Sequence, residues 1–244
     1  MGETVKGARR HELRARLLDA LFPPKCAGCK ARGHWLCPDC LRRIERLSEP
    51  LCGVCRQPIA PGVAHGCRSG VASVSLLVAA GFHAGPLREA VHALKYQGRH
   101  GIAATLAALL APVLVPLLRE GDLVVPVPLH PSRERERGYN QAARLAAELT
   151  YLHPVEVVPA ALRRTRATAQ QTTLSGKQRA ANVRGAFTAT SPLVAGRRVW
   201  LLDDVCTTGA TLGACAQAVR QVGARQVMGA VVALAPHHGA ADPR

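Results

Sequence analysis

The stretch from Arg198 to Cys215, RVWLLDDVCTTGATLGAC, decides how the chain is read. It opens as a hydrophobic strand, Val199 to Leu202, closed by the adjacent carboxylates Asp203 and Asp204. From Thr211 to Val222 it reads as a helix, with Leu212, Cys215, Ala216, Val219 and Val222 on one stripe and Gly223 as the stop. Between the two lies a compact loop, Thr207-Thr208-Gly209-Ala210-Thr211. Backbone N–H groups at a helix start, aided by the helix dipole, bind a phosphate dianion; Gly209 permits close backbone approach, and the threonine hydroxyls add donors. Carboxylates at a strand end are placed to accept from sugar hydroxyls, as the acidic residue of a dinucleotide site does. The plainer alternative is a capped helix whose acidic and threonine residues merely satisfy its own first turn. Two neighbouring carboxylates beside so compact a loop favour the phosphate reading.

Outward from this unit, the text alternates strand and helix from about Val71 onward. Val74 to Phe82 is strand-like, and Pro86 to Tyr96 carries Leu87, Val91 and Leu94 at helical spacing. Leu123 to Leu129 is a short apolar strand whose prolines suggest an end or edge. Asn140 to Leu149 reads as a helix, Val155 to Val158 as a strand, and Gln226 to Leu234 as the closing strand. Such a succession implies parallel pairing through right-handed crossovers: an α/β domain, mostly parallel sheet flanked by helices, with ligands beyond the carboxyl ends of the strands. Gly101 to Leu118 is nearly long and apolar enough for a membrane span, but Pro112, Pro116 and the strand that follows favour a buried helix, so no membrane insertion is expected.

The 244 residues carry 32 Lys and Arg against 16 Asp and Glu, a formal net charge of +16. Anionic partners are thereby favoured, although the same excess would serve solubility alone. Aromatics are only 3% of the residues, so any nucleic-acid contact would rest on backbone phosphates rather than base stacking. The basic start lacks an apolar secretion segment, and a cytoplasmic location is expected.

Residues 26 to 67 hold seven of the nine cysteines in a stretch poor in core formers, which points to metal as the source of stability. Cys26, Cys29, Cys37 and Cys40 have the C-x₂-C-x₇-C-x₂-C spacing of a structural Zn²⁺ site; a disulfide framework is the alternative, disfavoured in a reducing compartment. Cys52, Cys55 and Cys67 supply three further thiolates. A second zinc would then need His65, unless the pairs interleave and the first meets the third. Cys215 reads as packing, and Cys206 as packing in preference to a low-pKa thiol at a helix start. The expected organisation is a flexible basic segment at 1–20, a zinc-binding module at 21–70, the α/β domain at 71–236 and a disordered tail at 237–244.

DDVCTTGAT resembles the phosphoribosyl pyrophosphate signature of the type I phosphoribosyltransferases. The cysteine module, His92-Ala-Leu-Lys95-Tyr96 with Gly98-Arg99, PVPLHPSRERERGYNQ from Pro126 to Gln141, and RRTRATAQQTTLSGKQRAANVRGAF from Arg163 to Phe187 are similar to the ComF family, over nearly the whole chain after about Leu18. The resemblance implies a type I phosphoribosyltransferase fold. It also implies that Asp203 and Asp204 meet the ribose hydroxyls as the catalytic pair, that Thr207, Thr208, Gly209, Ala210 and Thr211 grip the 5′-phosphate, and that Mg²⁺ accompanies phosphoribosyl pyrophosphate. Arg133, Arg135 and Arg137 stand where that family has its pyrophosphate loop, and Arg forks suit phosphate oxygens. From Arg163 to Arg184 there are six basic residues, Lys177 among them, and no acidic one: a mobile lid over pyrophosphate, or else a solvated basic loop. Lys95 and Arg99 approach the same anion or are simply solvated. The resemblance further implies a role in natural competence and DNA uptake. Two function classes follow: a transferase acting on an unidentified acceptor, or a non-enzymatic factor that handles single-stranded DNA beside a helicase partner. A redox or purely structural zinc protein is a third class and leaves the phosphate loop without a use. The sequence selects neither the acceptor nor the oligomeric state.

Overall fold

The computed structural model describes residues 23–59, 74–166, 183, 185–190 and 192–236. The expectations for the N-terminal segment and the tail, for Cys67 and His65, and for Lys177 with most of the basic stretch around it lie outside the described residues. The chain builds a six-stranded sheet in the order β1 (Leu51–Cys52), β2 (Leu76–Phe82), β8 (Gln226–Leu234), β7 (Arg198–Cys206), β3 (Leu123–Pro126) and β4 (Glu156–Val157). Only the β1–β2 pair is antiparallel. A separate antiparallel hairpin joins β5 (Leu162–Arg164) to β6 (Phe187–Ala189).

The period of two along each strand sorts side chains onto two faces, each with its own core. Trp200 and Leu202 of β7, with Val78 and Ala80 of β2, face one core; Val199 and Leu201, with Leu77 and Ala79, face the other. The first core is closed by α2 (Gly85–Tyr96), α3 (Ile102–Leu114) and α5 (Gln141–Leu152), through Leu87, Leu94, Leu106, Leu110 and Leu145. The second is closed by α6 (Ala210–Gln221), through Leu212, Cys215 and Val219, and by Leu162 and Phe187 of the hairpin. Among the described residues no helix is long and apolar enough to cross a membrane. The apolar run 101–118 becomes α3 with Pro112 inside it, then a short 3₁₀ turn, Val115–Leu117, around Pro116.

Three segments differ from their sequence reading. β7 does not stop at Leu202; its long partner β8 keeps pairing through Asp203 opposite Val231 to Cys206 opposite Leu234, so the acidic pair lies inside the strand. β3 ends at Pro126; one further bond, from Val127 N to Leu202 O at 2.8 Å, precedes Pro128, which has no N–H to donate. The arginine segment is not a loop but a short helix, α4 (Pro131–Arg137). It starts at His130, whose Nδ1 accepts from Ser132 N at 3.3 Å, and ends at left-handed Gly138.

The cysteine module, which includes α1 (Pro38–Arg42), is not detached. It gives β1 to the sheet edge, and Cys26, Ala27, Leu36, Cys40 and Ile44 belong to the first core. Phe82 N donates to Glu45 O at 3.0 Å, and a Cβ on Gly81 would come within 2.5 Å of that carbonyl, so glycine lets the module's backbone lie directly on β2.

Beneath the sheet, buried Asp122 ties β3 to β7. Its Oδ2 accepts from Trp200 Nε1 at 2.9 Å and from Arg119 N at 3.1 Å, and its Oδ1 lies 3.5 Å from Arg198 Nε. Asp122→Ala strands a buried indole N–H and a guanidinium that is 10% exposed, and is expected to cost about 3 kcal/mol. Urea unfolding monitored by Trp fluorescence checks this, and a loss below about 1 kcal/mol would show the network to be dispensable.

Candidate functional site

At the carboxyl ends of β3 and β7 a cleft of about 460 Å³ opens. One wall is the β7–α6 junction, with Asp203, Asp204, Val205, Thr207 and Thr211. The opposite wall is α4 and the segment after it, with Arg133, Glu136, Arg137, Tyr139 and Gln141. Lys95 and Tyr96, at the end of α2, with Gly98, the segment Val127 to Leu129 after β3, and Arg164 of β5 complete the lining. A parallel sheet puts all these strand ends on one edge, which is why residues far apart in sequence converge here.

The start of α6 carries the positive end of its helix dipole. Gly209 is its N-cap residue, held at φ +82 in the region that favours glycine, and it offers no side-chain cap. Thr208 Oγ1 takes one first-turn donor, Ala210 N, at 3.3 Å, and no acidic side chain stands in the first turn. Gly209 itself adds no side chain to this turn, so the cap comes from Thr208. The start of α5 provides the contrast: Asn140 Oδ1 accepts from both Ala142 N and Ala143 N, at 2.9 and 3.4 Å.

The carboxylates are unequal. Asp204 is almost wholly buried, and its Oδ2, itself shielded from solvent, pairs with Lys95 Nζ at 3.0 Å and accepts no hydrogen bond of regular geometry among the described residues. Burial works against the Lys95 ammonium, but Asp204 and Asp203 outweigh it and hold Lys95 above its ordinary range. Asp203 Oδ1 accepts from Asp204 N at 2.8 Å. Burial pushes the Asp203 carboxyl up, the Asp204 charge pushes it further, and Lys95 offsets only part, so that it reaches about 8.

Not every residue singled out in the sequence reaches this cleft. A helical turn puts positions four apart on one face, so Arg133 and Arg137 line the cleft while Arg135 is exposed on the other side of α4. Arg137 is steered by Gln141 Oε1, to which it donates, and by Tyr96, whose ring centre lies 5.3 Å away. Arg99 points away altogether, 5.1 Å from the centre of the Trp35 ring in the cysteine module. Arg164, Tyr96, Tyr139 and Gln141 were not singled out as site residues. Arg164 lies at the edge of the basic stretch, and its position over Phe187 comes from the β5–β6 pairing, for which the sequence carries no clear period. Arg56 of the cysteine module also reaches the α6 loop.

Cys206 and Cys215 are buried, and burial raises both thiols, Cys206 to about 11, which suits packing rather than nucleophilic chemistry. In the module, the sulfurs of Cys26, Cys29, Cys37 and Cys40 all lie within 4.8 Å of one another, so the first and second pairs meet and interleaving with the third is ruled out for them. Tetrahedral Zn–S bonds of about 2.3 Å imply S···S separations near this range, so the four residues fit a closed structural zinc site. Burial pushes the Cys26 thiol up, but N–H donors from Cys29, Cys37 and Gly28 outweigh it and bring it down to about 6, whereas burial and the neighbouring sulfurs push Cys40 up to about 12. Cys52 and Cys55 form a second knuckle of the same turn.

The chain matches two family descriptions: a double zinc ribbon domain at residues 17–70 and a phosphoribosyl transferase domain at residues 135–244. It is 31% identical over 219 residues to competence protein F of Haemophilus influenzae, covering 84% of this chain and 95% of the relative. It is 34% identical over 216 residues to the DNA utilization protein YhgH of Escherichia coli, covering 84% and 94%. A partial structural likeness links it to the glutamine phosphoribosylpyrophosphate amidotransferase of B. subtilis, at 24% identity over 55% of this chain and 26% of that one, with a TM-score of 0.34.

The raised Asp203 carboxyl makes stability depend on pH. A carboxyl raised in the folded state stabilises fully below its unfolded value near 4, and that contribution is lost as pH rises toward about 8. Asp203→Asn cannot ionise, so its melting temperature is expected to gain on the wild type progressively between those limits. Melting curves whose difference is constant across the range would mean that Asp203 ionises as freely as in water.

Proposed function

The chain belongs to the ComF family, a double zinc ribbon joined to a phosphoribosyltransferase domain, and on that premise we propose that its cleft binds phosphoribosyl pyrophosphate with Mg²⁺ and transfers the phosphoribosyl group to an acceptor. The observation that carries the reading is the pairing, across about 460 Å³, of an open helix start and two carboxylates with a cationic wall. The Thr207–Thr211 amides and hydroxyls hold the 5′-phosphate. Asp203 and Asp204 accept from the ribose hydroxyls, with the Lys95 ammonium, 3.0 Å from Asp204 Oδ2, holding Asp204 in place. Arg133, Arg137 and Arg164 face the pyrophosphate end, where guanidinium forks oppose the charge that grows on the leaving group. Mg²⁺, when bound, would supply further neutralisation of pyrophosphate oxygens, and Asp203 and Asp204 are the groups that would suit it or the ribose diol. In the transfer step the acceptor's lone pair forms the new bond to the anomeric carbon, and the C–O bond to pyrophosphate breaks with its electrons leaving on oxygen. The chain's contribution is position and charge.

A second reading is favoured by a specific groove. About 640 Å³ in volume, it is lined by Lys25, Lys30, Arg32 and Arg99 around Trp35, with no acidic side chain among the described residues. Four cations and one indole suit a single-stranded DNA backbone with one stacked base. The relatives' names refer to competence and DNA utilization, so this reading gives the protein an accessory role in DNA uptake beside a helicase partner. Its lining shares no residue with the cleft, so both activities fit one chain.

Calorimetry of phosphoribosyl pyrophosphate with Mg²⁺ tests the first reading. Asp203→Ala combined with Asp204→Ala is expected to weaken binding at least about tenfold, and unchanged affinity would remove the site. For the second, oligonucleotide affinity should fall with salt at a log–log slope of about −0.7 per phosphate contacted. Lys25→Ala with Arg32→Ala should flatten that slope, while excess phosphoribosyl pyrophosphate should leave binding unaffected. Salt-independent binding would discard the DNA reading.

A further inference from the structure

We propose that Arg56, carried by the second cysteine knuckle, supplies counter-charge to the phosphate held by the loop 207–211, so that the zinc module is a working part of the sugar-phosphate site. The inference rests on the reading of that loop as a phosphate site. It begins with a comparison of the two knuckles. In each, the residue after the second cysteine closes the turn with its N–H: Lys30 N to Cys26 O at 2.9 Å, and Arg56 N to Cys52 O at 3.0 Å. Both residues are held at positive φ, 67 and 62, and they are the non-glycine residues in that region among those described. Glycine would adopt this turn without strain, so a long basic side chain here opposes local backbone preference.

The two head groups go different ways. Lys30 folds back on its own knuckle, donating from Nζ to Ala27 O at 3.0 Å. Arg56 crosses to the other part of the protein. Its Nη2 lies 3.1 Å from where a Cβ on Gly209 would stand, beside the sulfur of Cys206. Gly209 thus has a second reason to be glycine: its bare Cα admits the guanidinium to the start of α6. Arg56 Nη1 is buried and has no hydrogen-bond partner among the described residues, and no carboxylate there forms an ion pair with Arg56. Cys206 does not neutralise it, because burial raises that thiol to about 11 even with Arg56 beside it. A shielded guanidinium with an unused donor, next to a helix start whose N-cap residue contributes no side-chain cap, is matched by a phosphate dianion on the loop.

The test uses the full-length zinc-loaded protein and calorimetry with two probes, phosphoribosyl pyrophosphate with Mg²⁺ and pyrophosphate with Mg²⁺. Arg56→Gly is expected to keep or raise the melting temperature, since it relieves the positive φ, while weakening phosphoribosyl pyrophosphate about tenfold to a hundredfold. Binding of pyrophosphate, which lacks the 5′-phosphate, should be unchanged, and Arg56→Lys should recover part of the loss. Wild-type affinity for phosphoribosyl pyrophosphate in Arg56→Gly overturns the proposal. So does an equal loss of both ligands with a lower melting temperature, which is what loosening of the module would cause. Failure of the wild type itself to bind phosphoribosyl pyrophosphate overturns instead the underlying reading of the loop.

Discussion

The ion pair between Lys95 and Asp204 organises the site. A carboxylate that is 3% exposed needs a cation near it, and the ammonium at 3.0 Å comes from the last turn of α2, an element separated from β7 by about half the chain. Meeting that requirement fixes where α2 ends relative to β7. The end of α2 in turn places Tyr96, on which Arg137 is stacked, and the Leu94 carbonyl, to which the Tyr139 hydroxyl donates. Both walls of the cleft are therefore registered to one buried charge pair. Removing either partner would leave the other uncompensated.

The sheet makes that pair possible. β7 lies between β8 and β3 and is covered on both faces, so its alternating residues feed two cores and its position has no freedom left. Long pairing with β8 carries the rigid strand through Asp203 and Asp204 to Cys206, which holds the acidic groups on a ladder rather than on a loop. Rigid support of this kind is what a site based on positioning and charge requires.

The cysteine module stands in the same economy of structure. Poor in apolar residues of its own, it has a four-cysteine cluster that fits a structural zinc and leans on the sheet for the rest, lending β1 to the edge and Ile44 and Leu36 to the first core. Docked in that way, it brings Arg56 to the α6 loop and Trp35 to the helix that follows the cleft.

Local chemistry made much of this legible in the sequence. Alternation and helical stripes identified nearly all the main elements, the C-x₂-C spacing identified the thiolate cluster, and the acidic pair with its TTGAT loop identified the strand-to-helix junction. These signals are contained in a few consecutive residues, where backbone geometry alone relates the side chains. What only the tertiary structure decided is which distant groups meet: that Lys95 pairs with Asp204, that α4 is helical and turns Arg135 away from Arg133 and Arg137, that Arg99 serves Trp35, and that Arg56 crosses to Gly209. Such meetings depend on the register of β7 against β8 and on how α2 and the module dock, and those are set by packing of whole faces rather than by any local run of residues.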